Sequence, residues 1–373
     1  MTTRAALEGV FVVDFSRVLA GPLVAMTLGD LGADVVKVEA PGGDETRHWA
    51  PPVDASGRAA YHHAANRNKR SIILDLKDDS DLALGRALCA RADVVVSNFR
   101  PGTVDRFGIS YEQVREHNAG VVYCEISGFG EEGGRALPGY DPLVQAVGGL
   151  MSVTGPPGVP SKAGVAVVDV VTALYGTVGV LAALYARPAT GRGQRVTIDL
   201  LHANLAMLAN QTTGYLASGV APGSLGNVHP SIEPFATYRT GDGDLMICVG
   251  NDEQFRRLAG ALGDPGLADD ARFRTNTDRV AHRDALRPLL EAGLQRLTAR
   301  EWRDELARAG VSAGPVQTID EAFSLAAELG LDVVDETGGV RTVSFPAHLS
   351  ETPATVRLPP PALGEHGDEL RRG

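Results

Sequence analysis

VFVVDFSRVLAGPLVAMTLGDLGADVVKVE (10–39) decides the fold. VFVVDF (10–15) is a β-branched and aromatic run, GPLVAMTLGDLG (21–32) has helical character and closes on Gly32, and ADVVKVE (33–39) returns to a β-branched run. Strand, helix and strand in that order predict a parallel βαβ unit. The alternation continues outward: SIILDL (71–76) reads as a strand, DSDLALGRALCARA (79–92) as a helix, and DVVVSNF (93–99) and GVVYCEIS (120–127) as further strands. The chain is therefore an α/β protein with a parallel sheet. Ligands of such sheets bind beyond the carboxyl ends of the strands, so the residues just after each strand are the ones to inspect.

Glycine and proline recur there with basic side chains in APGGDETR (40–47), after the second strand, and NFRPGTVDRFG (98–108), after the fourth, while the basic NRNKRS (66–71) precedes the third. No GxGxxG follows VFVVDF and no GxxxxGK[ST] occurs, so the dinucleotide fingerprint and the P-loop are both missing. The basic clusters can still hold phosphates through side chains and helix N-termini, or be plain solvated turns.

Asp169 is the single charged residue between Val165 and Ala186. It falls where a β-branched run gives way to an Ala/Leu-rich one, which predicts a buried strand followed by a core helix. A lone carboxylate there is costly to desolvate. Two roles fit it: an N-cap accepting from Val171 or Thr172, or a reacting group. The same stretch is long enough to suggest a membrane span, but Asp169 near a bilayer centre costs roughly 2.5–3.5 kcal/mol, which favours a core helix.

With 373 residues, 44% of them hydrophobic, the chain can build two structural units with ample core. A formal charge of −11 argues against nonspecific binding to nucleic acid or anionic membrane. Cys89, Cys124 and Cys248 lie in apolar contexts and read as buried, reduced thiols. MTTRAALEG at the N-terminus has no apolar signal core, and a cytoplasmic location is expected.

In combination, LEGVFVVDFSRVLAGP (7–22), LGADVVKVEAPGGD (31–44), NRNKRSIILDLK (66–77), SNFRPGTVDRFG (97–108), GYDPLVQAVGGLMSVTG (139–155), GVAVVDVVTALYGTVGVLAALYARPATGRGQRV (164–196) and NVHPSIEPFATYRTGDG (227–243) resemble the family III CoA-transferases. GNDEQF (250–255), AGVSAGPV (309–316) and PPPALGEHGDEL (359–370) extend the likeness nearly end to end. The motifs are most similar to those of transferases that use succinyl-CoA and small dicarboxylic acids. The resemblance implies that Asp169 is the catalytic nucleophile and Asp141 its acidic partner. It implies CoA contacts from Ala20, Lys69, Arg70, Asn98, Phe99 and Arg106, and substrate contacts from Leu19, Tyr140 and His229. Arg47 and His229 are candidate cations for the distal carboxylate of a dicarboxylic acid. Gly148-Gly149 and Gly226-Asn227 are candidate oxyanion donors.

The chemistry fits the assignment. A carboxylate can attack a thioester, and a thiol with a pKa near ~8.5 leaves without a strong acid, so neither a metal nor a permanently bound cofactor is expected; CoA and acyl-CoA are substrates. Two other readings stay in view. An α-methylacyl-CoA racemase of the same fold needs two acid/base groups, yet Tyr140 stands where a histidine is expected, and a phenol of pKa ~10 is a poor base. A non-catalytic acyl-CoA-binding protein would lack the nucleophile. The resemblance also implies an architecture: a large Rossmann-like CoA-binding domain over 1–200, completed by 316–373, a helical linker over 201–225, a small α+β domain over 226–315, and an interlocked homodimer.

Overall fold

A computed structural model describes residues 4–100 and 102–372; residues 1–3, Pro101 within SNFRPGTVDRFG, and Gly373 lie outside the described residues. The chain divides into two compact units. The larger takes residues 1–150, 162–220 and 332–373, and the smaller takes 151–161 and 221–331. The sequence places the small domain at 226–315 and the linker at 201–225; the structure groups 162–220 with the large unit and carries the small unit on to residue 331.

In the large unit the elements run β1 (Phe11–Asp14), α1 (Ala20–Asp30), β2 (Asp34–Glu39), a 3-10 turn (Glu45–His48), α2 (Ala60–His63), β3 (Lys69–Ile73), α3 (Asp79–Arg91), β4 (Val94–Ser97), α4 (Thr103–Phe107), α5 (Tyr111–Arg115), β5 (Val122–Ser127), α6 (Asp141–Val147), α7 (Leu150–Val153), which runs across the unit boundary, α8 (Val167–Thr190), β6 (Arg195–Asp199), α9 (Leu200–Met207) and α10 (Ala209–Ser218). These six strands form one parallel sheet, in the order β3-β2-β1-β4-β5-β6; residues 334–337 and 340–343 of the same unit pair as a separate antiparallel hairpin. The order of the six is the doubly wound one, and its switch point lies between β1 and β4.

Alternation along the strands builds a core on each face of the sheet. Val12, Val35, Val94 and Val122 pack with Val24 and Leu28 of α1 and Val168 and Val180 of α8. Their neighbours Val13, Val36, Val95 and Tyr123 pack on the other face with Leu88, Val104 and Val114. α8 lies against α1, β5, β6 and α9. Its 24 residues are long and apolar enough to cross a membrane, yet Val168, Asp169, Thr172, Gly176, Thr177 and Val180 form a buried side, as a core helix requires.

The smaller unit has its own core around an antiparallel sheet of β7 (Phe235–Arg239), β8 (Asp244–Cys248) and β9 (Ser312–Pro315). α11 (Asp252–Leu262), α12 (Asn276–Ala281), α13 (Arg283–Leu294) and α14 (Ala299–Arg308) contribute the helices, with Trp302, Phe255 and Phe273 fully buried.

Candidate active site

At the switch point the loops after β1 and β4 part, and Asn98 ties them together. Its Nδ2 donates to the Arg17 carbonyl at 2.7 Å and its Oδ1 accepts from the Arg17 amide at 2.9 Å. The next residue, Val18, is held at φ 70°, a left-handed conformation that a β-branched side chain rarely adopts. Buried Asp44 accepts from the Val18 amide at 3.3 Å and from Lys37 Nζ at 2.9 Å, and so holds the turn in place. The turn delivers Leu19 and Ala20, both buried, to the start of α1, which has no side-chain cap.

Asp169 lies in the first turn of α8. The sequence predicts a strand before this residue and an N-cap role for it; the helix instead begins at Val167, with Ala166 at the N-cap position. Asp141, from the first turn of α6, does the capping: its Oδ2 accepts from the Val168 amide at 2.8 Å and the Asp169 amide at 3.2 Å. A long-range cap of this kind lets a β-branched run start a helix that its local propensity disfavours. The carboxylate of Asp169 is thereby released from capping. It is 8% exposed and, among the described residues, accepts no hydrogen bond. Burial, and then the charge of Asp141, push its pKa up to about 7.

A cavity of about 170 Å³ opens on Asp169 and is lined by Arg17, Leu19, Ala20, Asn98, Phe99 and Tyr140. Glu45, Arg100 and Arg135 also line it. Arg17 pairs with Glu45 at 3.5 Å, while Arg100 and Arg135 have no ion pair among the described residues. Tyr140 is half-exposed and donates from Oη to Glu45 at 3.4 Å. A second cavity, of about 160 Å³, lies beyond β1, β2 and β3; it shares Arg17 and Phe99 with the first and adds Leu74, Leu76, Lys77 and Phe107. The cavity beyond β4, β5 and β6 is larger, about 520 Å³, but Asp169 is not on its wall.

The structure thus gathers Asp169, Asp141, Leu19, Ala20, Asn98, Phe99 and Tyr140. Other residues singled out in the sequence sit elsewhere. NRNKRS turns inward: Lys69 is fully buried, with Nζ bound to Asp14 at 2.8 Å, the Pro22 carbonyl at 2.9 Å and Asn66 at 3.0 Å. All of its donors are used. Arg67 clamps Asp30, and Arg70 pairs with Asp34 and Glu369 at 2.6 Å each. The cluster is a set of ion pairs within the fold, so the geometry offers Lys69 no route to a phosphate. Arg106 lies on α4, exposed and without an ion pair among the described residues. Arg47, a candidate cation for a distal carboxylate, is bound to both oxygens of Glu39 and to the Pro361 carbonyl.

His229 belongs to the smaller unit, where its ring lies 5.2 Å from that of Phe235 and accepts from the Ser231 amide. His62 and His63 are buried and neither lines the Asp169 cavity. Burial, then Arg47 and Lys37, hold His62 down near a pKa of about 3. Gly148 closes α6 and its carbonyl accepts from Asn204; the Gly226 amide is bound to the Gly155 carbonyl. Neither Gly148 nor Gly149 lines the Asp169 cavity. Cys89 and Cys124 are buried and their thiols are pushed up to about 12, which rules them out as nucleophiles at neutral pH.

No sequence motif assigned a role to Arg17, Arg100, Arg135 or Tyr61. Arg100 directly follows the DVVVSNF motif and Arg17 lies two residues after VFVVDF, positions that could have marked them. Tyr61 of α2 has its phenol pKa raised by burial and then by the charges of Asp169 and Asp141.

Residues 7–367 match the sequence profile of CoA-transferase family III. The chain belongs to that family. It is 44% identical to a succinate–glutarate CoA-transferase of Agrobacterium fabrum, over 97% of this chain and 94% of that one. It is 37% identical to an acetyl-CoA:oxalate CoA-transferase of Acetobacter aceti, over 99% and 96%. Among solved structures, a CAIB/BAIF family protein from Brucella suis superposes with a TM-score of 0.90 at 42% identity, covering 99% of each chain. This protein is therefore a family III CoA-transferase, an enzyme, with CoA thioesters as its substrates.

Proposed function

We propose that this CoA-transferase moves CoA from succinyl-CoA to a small dicarboxylic acid through covalent intermediates on Asp169. The observation that carries the reading is the Asp169 carboxylate itself: buried, without a hydrogen-bond donor, and open to a cavity. Such a group keeps its lone pairs for attack, and its raised pKa makes it a better nucleophile once ionised.

In the first step an Asp169 oxygen attacks the thioester carbon, the C–S bond breaks and CoA thiolate leaves, forming a succinyl–aspartyl anhydride. The thiolate then attacks Cγ of Asp169, succinate leaves, and an aspartyl-CoA thioester remains. An acceptor carboxylate attacks that Cγ and displaces the thiolate, which attacks the acceptor carbonyl to give the new CoA ester and restore Asp169. The uncapped N-terminus of α1, with Ala20 on the cavity wall, offers amide donors for the oxyanions. Asn98 acts on the geometry of the site by binding the two loops to each other.

The Agrobacterium relative is named for succinate and glutarate, and this supports a dicarboxylate pair here. Arg100 and Arg135 supply charge for carboxylates or phosphates without first breaking an ion pair. The second cavity, walled by Phe99, Phe107, Leu74 and Leu76 with Lys77 at hand, suits the nucleotide end of CoA. On α8, the exposed Leu174, Tyr175, Val178 and Tyr185 support a homodimer, which sedimentation will show as a species of twice the chain mass.

The test is a panel of donors against free acids. Initial rates are expected to give parallel double-reciprocal lines, and enzyme incubated with succinyl-CoA alone should gain the mass of CoA less water. Repeated absence of both adduct and anhydride refutes the aspartyl intermediates. A pair of variants then separates the two ends of the ligand. Arg106→Ala should raise KM for every CoA ester by a common factor of roughly 10 or more, the scale of a charge-assisted phosphate contact. Leu19→Ala should instead reorder the acids while leaving CoA affinity within about twofold, since an apolar wall discriminates by methylene-sized differences. An Arg106 variant that distinguishes acyl groups but binds free CoA normally places the nucleotide elsewhere.

A further inference from the structure

Asp141 is one turn ahead of Gln145 on α6, so the two side chains share a face. Gln145 is 1% exposed, and a buried carboxamide is tolerated only when its hydrogen bonds are made. Those bonds converge on one point of the site. Nε2 donates to Asp141 Oδ1 at 2.5 Å and to the Val165 carbonyl at 3.4 Å, while Oε1 accepts from the Ala163 amide at 2.8 Å. One side chain thus grips the carboxylate that caps α8 and the segment of chain that leads into α8.

The division of labour within Asp141 gives this grip its consequence. Oδ1 is taken by Gln145 and Oδ2 by the Val168 and Asp169 amides. A carboxylate is planar, so fixing the direction of Oδ1 fixes that of Oδ2. The amide of Asp169 hangs from Oδ2, and the distance between the two carboxylates follows from it. We infer that Gln145 is a positioning residue for CoA transfer: by orienting Asp141 and anchoring Ala163 and Val165 together, it sets the seat of Asp169 and the strength of the field that Asp141 exerts on it. A side chain that fixes the group fixing the nucleophile is expected where a reaction needs geometry held within about 0.5 Å. Gln145 does not line the Asp169 cavity and is not placed in contact with substrate.

The inference rests on Asp169 being the nucleophile, so its test carries Asp169→Asn as a parallel arm. Gln145→Leu keeps the approximate bulk but neither donates nor accepts. It is expected to lower kcat by about 10- to 100-fold at every pH while KM for succinyl-CoA stays within about threefold, because the substrate pocket is untouched and the nucleophile is misplaced. Gln145→Glu is the more telling variant. Protonated, its carboxyl donates to Asp141 Oδ1 and accepts from the Ala163 amide, keeping the two short bonds of the carboxamide and giving up only the 3.4 Å bond to the Val165 carbonyl. Ionised, it sets a second negative charge against Asp141, and two carboxylates at that separation cannot both stay charged at modest cost.

Gln145→Glu should therefore work within about threefold of wild type at low pH and lose at least about tenfold as pH rises, a descending limb absent from the wild-type profile. The other groups around Asp169 are Tyr61 on α2, Tyr140 ahead of α6, Arg17 after β1, Glu45 in the 3-10 turn, and Arg100 and Arg135 in the loops after β4 and β5. They are common to both enzymes, so the difference between the two profiles isolates position 145. A residue needed only for folding would lower Tm and leave the shape of the profile alone.

A Gln145→Glu profile parallel to wild type overturns the inference, as does a Gln145→Leu enzyme with wild-type kcat. If both variants fail to melt cooperatively or to bind CoA, Gln145 is a folding residue and the inference falls as well. The control separates the two readings. Activity in Asp169→Asn refutes the nucleophile; an inactive Asp169→Asn with an unchanged Gln145→Glu profile refutes only the role of Gln145.

Discussion

Asp169→Asn loses CoA transfer by at least about a thousandfold and still binds succinyl-CoA: that is the expected result, since deleting a nucleophile commonly costs several orders of magnitude in rate. The substitution is nearly isosteric. The Asp169 carboxylate has no hydrogen-bond donor to lose among the described residues, and its backbone amide keeps its bond to Asp141. The start of α8 and the cavity wall should therefore persist. A carboxamide cannot form the anhydride, so donor incubation should leave the variant's mass unchanged while equilibrium binding of CoA stays within about threefold of wild type. Residual turnover above about a tenth of the wild-type rate would falsify the covalent route. Loss of CoA binding in parallel with activity would instead assign Asp169 to holding the ligand.

Much of this site could be read from the sequence, and the failures have physical causes. β1, β2, β4 and β5 were legible because strands covered on both faces are near-continuous apolar runs. β6, Arg195–Asp199, was not, because charged residues stand at both of its ends. β3 begins two residues earlier than SIILDL suggests; Lys69 and Arg70 conceal its start, and their charges are met by Asp14 at the end of β1 and Asp34 on the adjacent β2. The same neutralisation explains NRNKRS. A sequence shows that a cluster is basic but not which way it faces, and here Asp30 and Asp14 draw it inward.

The start of α8 is the most informative failure. VAVVDVV (165–171) reads as a strand by local preference, and its helical start is capped by Asp141, 28 residues before Asp169. No local window contains that partner. What the window did contain was an isolated carboxylate in an apolar run, and this was enough to single out Asp169. The arginines around it were harder. Arg100 was quoted in the segment after the fourth strand and Arg17 only within the opening motif, and a role near Asp169 for either requires the order β1-β4 in the sheet, which brings their two loops together.

The environment that prepares Asp169 for attack should also make the folded protein pay in stability as pH rises. Its pKa moves from 3.8 to about 7 because burial and the Asp141 charge both disfavour the ionised form. Below pH 3.8 the carboxyl is protonated in folded and unfolded chains alike and has no effect. Between that value and about 7 the folded chain holds a proton that the unfolded chain has released, so stability falls as pH rises. Above the folded value the loss is complete; a shift of this size corresponds to about 4 kcal/mol.

Asp169→Asn carries no such charge. Its melting temperature should exceed that of wild type at pH 8, and the difference should shrink to near zero by about pH 4. The rate should run the opposite way. Only the carboxylate attacks, so kcat/KM for succinyl-CoA should climb with pH and level off above about 7 in wild type. Stability and activity would then titrate together with opposite sign on a single group. Parallel melting curves for wild type and Asp169→Asn across the pH range would show that Asp169 is not the strained carboxylate the geometry describes, whatever the activity of the variant.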